Sequence, residues 1–170
     1  MAEQEHKQPL SRQSVRGRPT PYTLVVVAAD TADSVSAAGG LIFDSVRAGW
    51  IVDIHLESPG DDRALHILGA RSTPLPEAFE YTPDWPDAIF LSALMHERHR
   101  GVQRLVATSI RRHGIDIGAW GGNVPGLDAE TGSAHHLSTA ARAFKPHAMN
   151  AAGLPPCATD VESFFGGQRR

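Results

Sequence analysis

The chain has 170 residues, enough for one ordinary globular domain around one core, so we expect no second domain. Hydrophobic residues at 41% and charged residues at 21% are the values of a self-folding globular protein, which excludes a wholly disordered chain. The net charge of -3 excludes a general positive field for nucleic acid or an anionic membrane.

Residues 1–21 are rich in Gln, Ser, Arg and Pro and predict a disordered tail. They contain no apolar region of the kind that a signal peptide needs, and no stretch of the chain is apolar enough to span a bilayer. The only cysteine, Cys157, cannot form an intramolecular disulfide, which favours a reducing compartment. We therefore expect a cytoplasmic protein with no contact to a membrane.

The first ordered elements are predicted to be strand, helix, strand and helix. From Tyr22 the run TLVVVAA is typical of a strand buried on both faces. Asp33 or Ser34 is predicted to cap a helix that begins near Val35 and ends at Gly49. The segment WIVDIHLES predicts a second strand, and PGDD a turn into an Asp-capped helix, RALHILGA.

The central part of the chain predicts an irregular segment and then a long helix. RSTPLPEAFEYTPDWP holds four prolines in sixteen residues and predicts little more than a short strand. After Pro86 and Asp87, apolar residues recur at three- and four-residue spacing until Gly114, which predicts one amphipathic helix over this stretch.

The last part of the domain predicts a strand, IDIGAW, a long loop, GGNVPGLDAETGSA, and a helix that starts in HHLSTAARAF. We expect the domain to span residues 22–144 and residues 145–170 to be an irregular C-terminal segment. Alternating strands and helices predict an α/β fold, a three-layer sandwich with a mainly parallel, Rossmann-like sheet. In such a sheet ligands bind beyond the carboxyl ends of the strands, where Asp30, Asp33 and the loop before His136 should meet.

Two aspartates, Asp30 and Asp33, follow the first strand directly. They could ligate a divalent cation or position a general base, and they could equally cap the next helix. The glycine pair Gly39 and Gly40 does not form a GxGxxG motif, so we expect it to allow close packing of the first helix on the sheet rather than phosphate binding.

Histidines occur twice in short clusters. MHERHR places His96 and His99 three residues apart, unlike the HExxH zinc motif, and we assign them with the neighbouring arginines to a solvated helix face rather than to a metal or nucleic-acid site. His135 and His136 open the last predicted helix near Asp128 and Glu130. One of these two imidazoles could complete a metal site, or the two could be a surface or capping pair.

The sequence resembles the PIG-L/LmbE family of zinc-dependent N-deacetylases over about residues 22–144. VVVAADTADSVSAAGGLIFDSVRAGWIVDIHLES follows the family's frame of a strand, a motif of the kind VxPHPDDExLGAGG, a helix and a strand of the kind GHEVTVVxLT. RLVATSIRRHGIDIGAWGG and SAHHLSTAARAF resemble its later helix, its strand ending in Trp and its HPDH motif.

The resemblance implies a metal site made by Asp30, Asp33 and His136, with one divalent ion, zinc or a harder metal. Asp33 matches the family's metal-binding aspartate, while Asp30 stands in place of its first histidine. Ala32 stands in place of the general-base aspartate, and a methyl group cannot accept a proton. His135 or Asp128, with Glu130 beside it, would have to supply that base.

These departures, and the few residues after His136, favour a truncated, catalytically impaired protein that acts by binding or regulation. The alternatives are a metal-dependent hydrolase of an N-acetylated sugar or related amide, and a protein-interaction module that docks through a sheet edge or its basic helix. The expected partner is accordingly a small molecule or a protein, and no specific nucleic acid.

Overall fold

The computed structural model describes residues 20–166, so nearly all of the predicted tail lies outside the described residues. The elements in chain order are β1 Thr23–Ala28, α1 Thr31–Arg47, β2 Ile51–Leu56, α2 Arg63–Ile67, β3 Ser72–Pro74, β4 Ala88–Ser92, α3 Ala93–Arg98, α4 Arg100–Ile110, β5 Asp116–Trp120, β6 Gly132–His136, α5 Thr139–Ala151 and β7 Val161–Phe165. No helix among residues 20–166 has the length and apolar character that crossing a membrane requires.

One sheet of seven strands organises these elements, in the order β3-β2-β1-β4-β5-β7-β6. The first five strands in chain order run parallel, and β7 pairs antiparallel with both β5 and β6. The strand order reverses direction between β1 and β4, which makes the gap between their carboxyl ends the topological switch point. The predicted α/β fold with a mainly parallel sheet is confirmed.

Alternate residues of β1 face two separate apolar cores. Leu24 and Val26 pack with residues of α1, α2 and α5 on one side of the sheet. Val25 and Val27 pack with residues of α3 and α4 on the other side. All four side chains are fully buried, as expected for a strand with helices on both of its faces.

The single long helix predicted between Asp87 and Gly114 is wrong. Ala88–Ser92 is strand β4, in the middle of the sheet, and the helical part after it breaks at His99 into α3 and α4. The short apolar run AIFL fits a buried strand as well as a helix, because periodicity cannot separate the two over so few residues. The prediction therefore missed the strand that forms one side of the switch point.

The C-terminal part of the chain is more regular than expected. His135 and His136 belong to strand β6, and helix α5 starts at Thr139, where the Ser138 hydroxyl accepts the N–H of Ala141. The helix continues through Pro146 to Ala151, so the expected boundary after residue 144 falls inside it. Strand β7 then alternates exposed and buried side chains and pairs with both β5 and β6.

Candidate functional site

The candidate site lies at the carboxyl ends of β1, β4 and β5, around the switch point. The residues that follow these strands are Ala29 and Asp30, the start of α3, and the loop that begins at Gly121. Crevices at this edge are the usual ligand sites of open α/β sheets. These three strand ends therefore border the candidate site.

Asp30 acts as the N-cap of α1. Its Oδ1 accepts the backbone N–H of Asp33 at 2.8 Å, and the helix begins at Thr31. The expectation that Asp33 or Ser34 would cap a helix beginning near Val35 is wrong. Asp30 has the extended backbone conformation of an N-cap, and its side chain accepts the backbone N–H of Asp33. The capping interpretation of the aspartate pair is thus confirmed for Asp30.

Asp33 uses both carboxylate oxygens inside the protein. Oδ2 accepts the backbone N–H of Ala29 at 3.0 Å, and Oδ1 accepts the indole N–H of Trp120 at 2.9 Å. Because β4 lies between β1 and β5 in the sheet, this link from the end of β1 to the end of β5 crosses the end of β4. The hydrogen bond between Asp33 and Trp120, hereafter the Asp33–Trp120 bridge, therefore spans the switch point.

The same peptide group that Asp33 binds also connects β1 to β2. The carbonyl of Ala28 accepts the N–H of Glu57 at 3.1 Å, while the adjoining N–H of Ala29 donates to Asp33. The C=O and the N–H of one peptide group point to opposite sides of a strand. Asp33 therefore accepts the N–H of Ala29 on the side of β1 that faces away from β2. Asp33 thus continues the hydrogen-bonding pattern of β1 past its last residue.

The structure places His135 and His136 against other partners. His135 Nε2 lies 2.8 Å from Oδ2 of Asp44, which is eleven residues after Asp33 in α1. At 1.5 Å per residue this is about 16 Å along the helix from Asp33. His136 is exposed in β6 and pairs with Val161 of β7. The structure therefore does not bring the two histidines together with Asp30 and Asp33.

Asp44, the partner of His135, also binds Ser138. Its carboxylate accepts from the Ser138 hydroxyl and, at 3.0 Å, from the Ser138 backbone N–H. Burial raises the pKa of Asp44, but the hydrogen bonds from Ser138 and His135 outweigh that effect, and the pKa lies below its usual value. Since the serine hydroxyl binds the carboxylate and caps α5, this His, Asp and Ser cluster is not arranged as a nucleophile with its base.

Asp128, the other candidate base, is engaged within its own loop. Its carboxylate accepts the N–H of Glu130 at 2.9 Å and the hydroxyl of Thr131 at 2.8 Å. Across residues 20–166, no group of three or more His, Cys, Asp or Glu side chains is placed to hold a metal ion. The three predicted ligands therefore do not form a site for a divalent ion in this arrangement, and each oxygen of Asp33 already accepts one N–H group.

A cluster that the sequence analysis missed lies at the same edge of the sheet. Glu57, just after β2, contacts His99 Nε2 through one oxygen and Nη1 of Arg98 through the other, at 3.1 Å. The hydrogen bond to His99 and the charge of Arg98 hold the pKa of Glu57 below its usual value. The signal was MHERHR, which the wrong helix prediction had placed far from any strand end.

An open crevice lies beyond the carboxyl ends of β4 and β5. Its volume is about 460 Å³, within the range of small-molecule sites. The polar and backbone groups at its wall come from α3, from α4 and from the loop after β5: His96, Glu97, Gln103, Gly121, Gly122 and Asn123. Ala93, Leu94 and Pro125 supply its apolar part. We call this space the β4–β5 crevice.

Comparisons with known proteins connect this fold to deacetylases. No family model matches the sequence, and no curated protein matches it either. Among solved structures, the A40926 pseudoaglycone deacetylase Dbv21 matches with a TM-score of 0.55 at 14% identity, over 86% of this chain and 97% of that one. A triple mutant of a deacetylase of the teicoplanin biosynthetic pathway matches with a TM-score of 0.56 at 11% identity, over 85% and 97%.

A third structure, of teicoplanin deacetylase Orf2 in a zinc-inhibited form, matches with a TM-score of 0.50 at 11% identity, over 75% of this chain and 82% of that one. At these identities the matches show a shared fold. They leave the chemistry of the site to be judged from the side chains present, because one fold hosts many functions.

Proposed function

We propose that this protein is a catalytically impaired relative of the PIG-L/LmbE deacetylases that binds a small molecule in the β4–β5 crevice. The observation that carries the proposal is the state of Asp33. Both oxygens of this carboxylate accept N–H groups of the protein, from Ala29 and from Trp120. A side chain that ties α1 to the end of β5 in this way has a structural role at the switch point.

The neighbouring residues support the same proposal. Ala32 offers no atom that could take a proton from water, and Asp30 uses one carboxylate oxygen to cap α1. The substitutes considered from the sequence, Asp128 and His135, are hydrogen-bonded elsewhere. The deacetylase fold supports kinship with the family, while these side chains argue against amide hydrolysis.

The β4–β5 crevice supports a binding function because it is accessible and chemically mixed. Apolar side chains lie beside amide, imidazole and carboxylate groups, which is the usual composition of a small-molecule site. It also lies beyond the carboxyl ends of parallel strands, where ligands of such sheets bind.

Binding can be tested by ligand-observed NMR with a defined set of small amides, amines, polyols and carboxylates. Asn123 is exposed at the crevice, so Asn123→Trp should fill the space and abolish binding of a true crevice ligand. Asn150→Trp, at an exposed position of α5, is the matched control and should leave binding unchanged. The proposal fails when no compound shows binding that is sensitive to Asn123→Trp.

A second candidate function, hydrolysis of an N-acetylated amide, is favoured by the contact between Glu57 and His99. The carboxylate orients the imidazole, and with Nε2 turned toward Glu57 the Nδ1 atom could accept a proton from water. This candidate predicts release of acetate from N-acetylglucosamine that is lost in His99→Asn and retained in His147→Asn, a change at an exposed residue. The binding proposal predicts no release by any of the three proteins.

A further inference from the structure

Strand β6 forms one outer edge of the sheet and pairs on one side with β7. We propose that its free side pairs with β6 of a second copy of this chain, antiparallel, about a twofold axis at Ala134. The residues that line the β4–β5 crevice are not part of β6, so the inference is independent of the proposed binding function.

The outer side of β6 presents peptide groups that hydrogen-bond to none of residues 20–166. At the two ends of the strand, Leu137 donates its N–H to the carbonyl of Asp160, and the carbonyl of Thr131 accepts the N–H of Gly166. Because hydrogen bonding alternates along an antiparallel pair, the odd-numbered residues of β6 turn their peptide groups toward β7. The even-numbered residues turn theirs to the free side: Gly132, Ala134 and His136.

Strand β6 also lacks the residues that usually keep free sheet edges apart. Its sequence, GSAHH, contains no proline, lysine or acidic residue. The opposite edge of the sheet is protected, because β3 has three residues and ends at Pro74. An unprotected edge of five residues is a template for a further strand.

The side chains of β6 favour a second β6 as that strand. With Ala134 opposite Ala134 of the second copy, Gly132 lies opposite His136 at both ends, and the two strands overlap fully. A Cβ atom on Gly132 would have one contact within 4 Å, the Phe164 carbonyl oxygen at 3.5 Å, so the space above Gly132 is open. The imidazole of His136 from the second copy would fill this space and reach Phe165, as aromatic rings often cover a cross-strand glycine.

The face of the sheet at this edge is partly apolar and open. Val161 and Phe165 of β7 lie on the same face as Gly132 and His136, and they are 36% and 46% exposed. A groove of about 310 Å³ runs along this edge, between β6, β7 and the loop before β6. Pairing would join the two faces into one strip that carries Val161 and Phe165 of both copies, and removing apolar surface from water favours association.

The charges at the two ends of β6 complement each other in the antiparallel arrangement. Glu130, two residues before the strand, is exposed, and its carboxylate bonds to none of residues 20–166. Ser138, two residues after the strand, is the N-cap of α5, whose first turn contains no acidic residue. The register places Glu130 of one copy beside Ser138 of the other, where the positive end of the α5 dipole attracts a carboxylate.

The test uses the twofold axis, because Ala134 is the residue of β6 that would face itself. Ala134→Lys places two ammonium groups there and Ala134→Glu two carboxylates, and like charges directly opposite each other destabilise strand pairing. Sedimentation velocity of the full chain at low salt should show a wild-type dimer with a Kd of about 10–100 µM, as a small interface provides. Each variant alone should associate at least about tenfold more weakly, and an equimolar mixture of the two should dimerise again.

The matched controls are Ala107→Lys and Ala107→Glu, at an exposed position of α4, which should dimerise like the wild type. Because Ala134 is exposed and its peptide group points outward, both Ala134 variants should melt at the wild-type temperature.

Three outcomes overturn the inference. A wild type that stays monomeric at about 1 mM would show that the edge does not pair, since that limit corresponds to a negligible affinity. A dimer that both Ala134 variants preserve would assign the interface to another surface. Two folded variants that remain monomeric when mixed would contradict the twofold arrangement about Ala134.

Discussion

Among single residues, Lys145 and Glu162 form the most deeply buried ion pair of residues 20–166. The Nζ and Oε2 atoms lie 2.6 Å apart, and the side chains are 4% and 2% exposed. Glu162 also accepts the backbone N–H groups of Gly40 and Leu41, at 2.8 and 2.7 Å, and Lys145 donates to the carbonyl of Ser36 at 2.9 Å. The pair thus connects α5 and β7 to the backbone in the middle of α1.

Replacing Lys145 by Met should destabilise the protein strongly, because Glu162 would remain buried without its cation. We expect the free energy of unfolding to fall by about 3–5 kcal/mol, measured by urea denaturation. The control is Arg142→Met on the same helix, where the partner Asp160 is 3.5 Å away and both side chains are exposed. That change should cost less than about 1 kcal/mol. Losses of equal size would contradict a structural role for the buried pair.

His55 should contribute a pH dependence to stability. Burial lowers its pKa, partly offset by the charge of Asp53 and a hydrogen bond with the Pro74 backbone. Between the lowered pKa of the folded state and about pH 6.5, the unfolded chain binds more protons at His55 than the folded chain does. The contribution of His55 to stability is therefore complete above about pH 6.5 and is lost as the pH falls through the folded pKa.

The melting temperature should therefore fall between about pH 7 and pH 5, and His55→Gln should fall less steeply than the wild type. His147→Gln, at an exposed position of α5, is the matched control and should follow the wild-type curve. Parallel curves for His55→Gln and the wild type would contradict a penalty from protonating His55.

Part of the site could be predicted from the sequence, and part could not. Asp30 and Asp33 were recognisable because two aspartates follow a buried strand, and capping was one stated alternative. The partner of Asp33 was not recognisable, since Trp120 is 87 positions away and no local pattern signals an indole pointing at a carboxylate. Residue types alone suggest which side chains could bind a metal. The N–H groups that already donate hydrogen bonds to those side chains can be found only from the folded structure.

Among the elements, α1 shows how one glycine can be essential and its neighbour replaceable. The sequence predicted that the pair packs against the sheet, but Gly40 faces Leu137 and Gly39 faces Lys145 of α5. A Cβ atom on Gly40 would lie 2.3 Å from Cγ of Leu137, whereas one on Gly39 would lie 3.5 Å from Cγ of Lys145. The first distance is a clash and the second is ordinary van der Waals contact.

Gly40→Ala should therefore lower the free energy of unfolding by about 1–3 kcal/mol through overpacking against Leu137. Gly39→Ala should leave stability unchanged or raise it by up to about 1 kcal/mol, because alanine favours the helix. Thermal and urea unfolding of the two variants beside the wild type measure the difference. If Gly40→Ala were as stable as Gly39→Ala, the expected clash would be contradicted. Leu137 would then be able to move away from α1 with little loss of free energy of unfolding.

Elements with strong local signals were predictable, and those defined by long-range pairing were not. Strand β1 follows from a β-branched run, and strand β2 follows from alternating side chains. The end of α1 at Arg47 follows from Gly49 two residues later, whose φ is 85°. Strand β4 was missed because its apolar residues continue into α3 without a turn. Strand β7 was missed because its pairing with β5 and β6 involves residues far apart in the sequence.

The whole molecule has a fold shared with solved deacetylases and a switch point spanned by the Asp33–Trp120 bridge. The matches to Dbv21 and the teicoplanin deacetylase show the fold, and the sequence alone was sufficient to predict the sheet type. Asp33 accepts N–H groups through both of its carboxylate oxygens, and an open crevice lies beyond the ends of β4 and β5. The shared fold therefore does not determine whether the chain binds a metal ion, which needs its own measurement.

The most direct test of this account is a calorimetric titration of zinc into the full chain and into its Asp33→Asn variant. The account predicts that the two proteins give the same heats, with no saturable binding that depends on Asp33. Binding of one equivalent of zinc to the wild type, lost in Asp33→Asn while the variant remains folded, would contradict it. In that case the Asp33–Trp120 bridge would have to open to admit the ion.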